Sequence, residues 1–172
     1  MACPISAGLS ALDCLDGKGG ISTFYVTEFE NQNTSTITAG TISAMALDTG
    51  KKFWEIKVEK EMAHAEENET TSPENNTNAY AQTFTFDINK ISATNRTLLT
   101  TLAKNRLMLM YKDNNGNYVM YGWTGGYLSF STASGTKFGD KNGYNAVFTS
   151  SEPEAAYFVD SSIVASLLTP AP

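Results

Sequence analysis

Over most of the chain apolar and polar residues alternate with a period of two, the spacing that gives a strand one dry face and one wet face. After the punctuation at Gly17, Gly19 and Gly20, residues 21–29 (ISTFYVTEF) are β-branched and aromatic almost throughout. Residues 36–62 (TITAGTISAMALDTGKKFWEIKVEKEM) predict a hairpin turning at Asp48-Thr49-Gly50. Its second arm sets Trp54, Ile56 and Val58 on one parity against Glu55, Lys57 and Glu59 on the other. Residues 80–88 (YAQTFTFDI) put Tyr80, Gln82, Phe84, Phe86 and Ile88 on one side and Thr83, Thr85 and Asp87 on the other. The run RLMLMY, residues 106–111, is apolar on both parities and reads as a central strand covered on both faces. Residues 115–123, 125–132 and 143–151 predict three further strands.

One segment changes period. Residues 92–105 (SATNRTLLTTLAKN) begin with Ser92, whose hydroxyl can satisfy an orphan backbone N–H, and carry Leu98, Leu99 and Leu102 as a narrow apolar stripe. This is the helix expected to cover one face of the central strand, with Lys104 and a left-handed Asn105 at its end. Asn115-Gly116 is a strong hairpin signal because both residues accept positive φ. Gly125-Gly126 permits a reversal or a bulge, and Gly135 and Asn142-Gly143 punctuate the strands that follow. Residues 159–168 (VDSSIVASLL) suit a short helix or a last strand. The fold expected is mainly β: an antiparallel sandwich or barrel with one packed α-helix, in a single domain over 1–172 with residues 1–20 as an arm.

Residues 62–78 (MAHAEENETTSPENNTN) show no apolar period, and the window 59–74 holds six Glu against one Lys. Such a stretch predicts a long acidic loop that orders on assembly, presenting Met62, His64, Glu66, Glu67, Glu69 and Glu74 to a neighbouring subunit or ring.

Composition narrows the function classes. With 172 residues the chain is sized for one domain, and 12 Lys and Arg against 18 Asp and Glu give a net charge of −6. No basic stripe is visible, which disfavours a protein that grips phosphates but not one through which nucleic acid passes. The first twenty residues lack the basic and apolar regions of a secretory signal, and no run approaches the ~20 apolar residues of a membrane helix, so no membrane partner is expected. Cys3 and Cys14 have no neighbouring His and read as two free thiols.

Candidate chemistry is sparse. His64, the one histidine, lies beside carboxylates but has no evident nucleophile or ligand set. Asp113, Asn115 and Asn117 resemble the start of a calcium loop, yet Tyr118 stands where Gly is needed and Thr124 where Glu is needed, so they read as a turn. Tyr118, Tyr121, Trp123, Tyr127 and Phe130 could line a sugar-binding shelf or form an aromatic ladder within the sheet. No catalytic, metal or cofactor-binding residue is expected.

The block from Phe84 to Val159 resembles one found in tail tube proteins of tailed bacteriophages and their relatives in tail and neck rings, including those of crAss-like gut phages. The resemblance rests on Asp113, Gly116, Gly122, Gly126, Ser134-Gly135, Gly139-Asp140, Asn142-Gly143-Tyr144 and Glu152-Pro153, in that order. It implies a structural virion protein whose copies join in a ring, a hexamer or a multiple of one, with other tail or neck proteins as partners. DNA would pass through the lumen without being specifically bound, and Glu55, Lys57 and Glu59 are the expected lumen-facing residues. Two other readings remain open at this point: a neck or tail ring protein of the same fold, and a β-sandwich adhesion or carbohydrate-binding module. A hydrolase built on His64 is the third and least supported by the residues.

Overall fold

A computed structural model describes Gly8 and residues 17–171. Cys3 and Cys14 lie outside the described residues. The fold is mainly β, a strongly curled mixed sheet that forms a half-barrel. Ten strands follow one another: β1 (Ile21–Glu28), β2 (Gln32–Thr38), β3 (Thr41–Leu47), β4 (Trp54–Ile56), β5 (Ala63–Ser72), β6 (Thr77–Asn89), β7 (Leu107–Asp113), β8 (Tyr118–Ser134), β9 (Asn142–Glu152) and β10 (Tyr157–Val159). Helix α1 (Ala93–Lys104) precedes β7, and a second helix, α2 (Ser161–Leu168), ends the described fold.

The sheet has two limbs joined by the long strand β8. One limb runs β2-β3-β10-β8-β7-β1-β4, and the other continues from β8 through β9 and β6 to β5. Among the described residues only the β10–β3 pair is parallel; the other strand pairs are antiparallel. The limbs fold over one another, so Phe24 of β1 meets Phe84 and Phe86 of β6 with ring centroids 4.9 and 4.7 Å apart. Tilted ring pairs at this spacing add to the burial of large apolar side chains.

Strand β7 explains how two cores coexist. Leu107, Met108, Leu109 and Met110 are all buried, as the two-sided run predicts. Leu107 and Leu109 join Phe24, Phe84, Phe148 and the helical Leu99 on one face. Met108 and Met110 join Ile42, Phe53, Met120 and Leu167 of α2 on the other. Alternation along one strand therefore feeds two separate dry layers. Ser92 caps α1 as expected, its hydroxyl accepting the Asn95 N–H at 3.1 Å, and Leu99 is fully buried. Asn105 is extended (φ −107°) rather than left-handed, because the chain passes directly into β7.

Several expectations are corrected. Residues 62–78 are not a loop: β5 and β6 form a ten-pair antiparallel hairpin from Ala63↔Phe86 to Ser72↔Thr77. The apolar period is missing because β5 is an edge strand whose inward positions are filled by Ala63, Ala65 and then a hydrogen-bonded Glu67. The predicted hairpin at Asp48-Thr49-Gly50 does not form. The β2–β3 hairpin turns instead at Ala39-Gly40 (φ 49° and 77°), and β4 pairs with β1. Residues 50–53 are drawn to the tail, through Gly50 N–H to the Ala171 carbonyl at 2.7 Å and Phe53 N–H to the Leu167 carbonyl at 2.9 Å. Phe53 takes the buried position and leaves Trp54 65% exposed.

Residues 118–134 are one bent strand rather than two. The register steps from Leu109↔Tyr121 to Leu107↔Gly126, so four residues bulge out with Gly122 (φ 70°) and Gly125 (φ 94°) in left-handed conformations. The glycine pair supplies a bend rather than a reversal. Asn142 and Gly143 likewise lie inside β9. Gly143 is required there because a Cβ would sit 2.2 Å from the Ile88 carbonyl oxygen. At Asn115-Gly116 the hairpin does form, but with positive φ at Gly116 alone. Asp113 makes that possible by accepting the Asn115 and Asn117 backbone N–H groups at 2.9 and 2.7 Å.

Candidate assembly surfaces

The half-barrel does not close on itself among the described residues. Strands β2 and β4 end one limb and β5 ends the other, each with a neighbour on one side only. An open strand edge presents unpaired N–H and C=O groups to any second strand that can approach it. The three edges differ in chemistry. β2 (QNTSTIT) carries no charge and is exposed along six of its seven positions. β4 is three residues long. β5 carries Glu66, Glu67 and Glu69, charges of the kind that guard an edge against indiscriminate pairing.

The residues expected in the acidic segment are spread over both faces of the β5–β6 hairpin. His64 and Glu66 project from the exposed face opposite Thr85 and Thr83, whereas Glu67 and Glu69 fall on the alternate parity opposite Gln82 and Tyr80. Glu67 accepts the Gln82 side-chain N–H at 2.9 Å and the Ala156 backbone N–H at 2.8 Å. Glu69 accepts from Asn78 Nδ2 at 2.8 Å. Met62 precedes β5, where its carbonyl accepts the Asp87 N–H at 2.9 Å. Glu74 lies in the exposed turn between the strands. The hairpin extends past its neighbour β9, whose pairing with β6 ends at Tyr80↔Glu152, so its distal part is a two-stranded projection.

Behind Glu67 a buried polar cluster holds the bend of β8. Gln82 is 2% exposed; its Oε1 accepts the Gly122 N–H at 2.9 Å while its Nε2 donates to Glu67. Glu152, 3% exposed, accepts the Thr124 N–H at 3.1 Å and a hydrogen bond from the Ser150 hydroxyl. Backbone groups freed by the bulge are thereby satisfied, which is what a buried irregularity requires. Arg106 reaches the same bulge by donating to the Thr124 carbonyl. The sequence marked the bend by its glycines but gave no sign that Gln82 and Glu152 close it.

The expected lumen residues are only partly on a strand. Glu55 lies in β4, but Lys57 and Glu59 follow it in irregular chain. Lys57 Nζ lies 3.6 Å from Glu55, and Glu59 accepts from Asn89 Nδ2 at 2.9 Å. The aromatic shelf is divided. Tyr121 stacks edge-on with Tyr111 in the core, Trp123 packs edge-on against Tyr157, Phe130 packs against Tyr144, and Tyr127 alone stands largely exposed. On the outer face Asp87 accepts from Lys141 Nζ at 2.5 Å and Asn145 Nδ2 at 2.8 Å. Partial burial opposes ionisation of Asp87, but these donors outweigh it and hold its carboxyl below the ordinary value. Among the described residues no group of three or more His, Cys, Asp or Glu could hold a metal ion, and no helix is long and apolar enough to cross a membrane.

Two features went unread in the sequence. Phe138 is fully exposed at the tip of the β8–β9 connection, a lone aromatic among Gly, Lys and Asp. A cleft of about 680 Å3 lies between β1, β4 and α1, floored by Val26, Ile56, Leu102 and Leu107 and rimmed by the exposed Trp54 and Leu98. By parity Trp54 reads as a core residue, and its place on the rim depends on the tail contact that buries Phe53.

No protein-family model, curated protein or solved structure matches the chain.

Proposed function

We propose that this chain is a structural subunit of a tailed bacteriophage virion, a tail tube or neighbouring ring protein whose copies join side by side around a conduit for DNA. The observation that carries the reading is the curled sheet left open at β2, β4 and β5. A sheet of this curvature closes its edges most economically by adding strands from identical neighbours, and head-to-tail contacts of that kind make rings. The net charge of −6 supports a bore that repels phosphates instead of retarding them. The projecting acidic hairpin suits contact with an adjacent subunit or ring better than a free loop would, because its backbone is already ordered. A sugar-binding reading loses support from the division of the aromatic residues between two cores and the surface.

Purified full-length protein tests the proposal by negative-stain electron microscopy combined with native mass spectrometry. Rings or stacked tubes of one mass multiple are expected. A monomer at all concentrations, or a monomer retained on immobilised glycans, overturns it.

A further inference from the structure

The cleft beside β4, about 680 Å3 in volume, is apolar along its floor, and the described fold leaves it uncovered. We propose that it receives Phe138, at the tip of the β8–β9 connection, from a neighbouring copy. The inference rests on the assembly reading above and deepens it by saying how one copy seats the next.

The cleft selects an apolar guest. Val26, Ile56, Leu102 and Leu107 form its floor, and the exposed Trp54 and Leu98 its rim. The charges around it are engaged within the chain: Lys51 Nζ lies 3.9 Å from Glu28, Lys57 Nζ 3.6 Å from Glu55, and Lys52 Nζ 4.2 Å above the Trp54 ring. A guest for a concave site must also project. Ile37, Tyr127 and Phe158 are exposed but lie on strands, where the surrounding sheet keeps them from entering a cleft. The hairpin tips project, yet they carry Ala39-Gly40, Pro73-Glu74-Asn75-Asn76 and Asn114-Asn115-Gly116, with no large apolar side chain.

Phe138 meets both conditions. Its tip is held in shape: the Asp140 carboxylate accepts the Thr136 and Lys137 backbone N–H groups, each at 2.8 Å, and the Gly135 N–H donates to the Lys141 carbonyl at 3.1 Å. Gly135 lets the tip close, because a Cβ there would lie 1.9 Å from Asp140 Cβ. A tip ordered before contact loses little freedom on docking, and an aromatic anchor in an apolar pocket is where binding energy concentrates.

The ring does not fill the cleft of its own chain, since Phe138 is fully exposed. Strand β8 separates the two: Gly126 pairs with Leu107 of the cleft floor, and Ser134 stands at the base of the tip, eight residues and about 26 Å further along the strand. Tip and cleft are therefore different parts of one surface. A contact between them joins copies head to tail, the arrangement that closes into rings.

Disulfide trapping in the full chain tests this. Cys3→Ser and Cys14→Ser remove the native thiols. One variant then carries Gly139→Cys, where nothing lies within 4 Å of an added Cβ, and the other Thr101→Cys, on the exposed cleft side of α1. A disulfide joining the two positions always joins two copies. The variants are mixed before assembly and oxidised, and the cross-linked peptides are read by mass spectrometry. A disulfide between positions 139 and 101 is expected, and it should be lost when Phe138→Ser is added to the first variant or Leu98→Asp to the second. Both residues are exposed, so these changes test the contact and not the fold. Absence of that disulfide, disulfides only between like positions, or a disulfide that survives either change overturns the proposal. Electron microscopy of the same samples separates the two readings. Rings without the cross-link remove the docking alone, and cross-linked copies without rings remove the ring alone.

Discussion

Gly126 and Gly143 show what single positions contribute to the curl. A Cβ on Gly126 would meet Phe148 Cζ at 2.2 Å and the Thr149 carbonyl oxygen at 2.8 Å, and one on Gly143 would meet the Ile88 carbonyl oxygen at 2.2 Å. Backbone cannot move aside as a flexible side chain can, so Gly143→Ala should cost about 1–3 kcal/mol or more. Gly139→Ala, with nothing within 4 Å of the added Cβ, is the matched control and should stay within about 0.5 kcal/mol. Urea denaturation of the two variants checks this, and equal midpoints would contradict the close approach. Titration provides a second test. Partial burial of Asp113 is outweighed by hydrogen bonds from Asn117 and Asn115, which hold its carboxyl below the ordinary 3.8, as Lys141 and Asn145 do for Asp87. Groups depressed on folding contribute stability above their unfolded value and lose it as pH falls through the folded one. Burial raises Tyr111 and Tyr121 above the ordinary 10.0, so their neutral forms contribute below that value and the contribution is lost as pH rises through the folded values. Thermal unfolding should show a plateau bounded by these two limits, and Asp113→Asn should flatten the acid side; an acid limb unchanged in that variant contradicts the assignment. At this scale the glycines were legible because a left-handed or crowded position leaves few alternatives. Gln82 and Glu152 were not, since a buried polar residue at strand parity looks the same whether or not it caps a bulge.

Elements with a face to bury were readable, and those without one were not. Tyr80–Ile88 announces its burial by period, Leu107–Met110 by being apolar on both parities, and Ser92 announces the start of α1. Strand β5 announces nothing, because one side of it is a free edge and its inward positions are Ala63, Ala65 and Glu67. Its glutamates, read as part of a long acidic loop that orders on assembly, occupy an edge strand. Amide hydrogen exchange distinguishes the two. The central amides of β6, flanked by β5 and β9, should be protected, and the distal Thr70–Ala79 part should exchange faster because β9 no longer flanks it. Uniformly fast exchange over residues 63–89 contradicts the hairpin. The failed hairpin at Asp48-Thr49-Gly50 has a different origin: Gly50 and the following Phe53 are claimed by Ala171 and Leu167, partners so distant in sequence that local pattern does not report them. The undivided β8 follows from its bulge, which lets one strand serve both limbs.

For the molecule as a whole, the mainly β class and the curved antiparallel architecture were legible in alternation and turn chemistry. The openness of the half-barrel was not, because whether a sheet closes depends on strand register and twist summed over ten strands. That openness is the centre of the account. Its edges are short (β4), uncharged (β2) or guarded by glutamate (β5), a pattern that favours a specific partner over indiscriminate stacking. The most direct measurement is a high-resolution electron-microscopy map of full-length protein at assembling concentration. The account predicts a ring in which an edge strand of each copy is hydrogen-bonded to its neighbour around an open lumen. Copies that remain separate, or touch without sharing any strand edge, would contradict it.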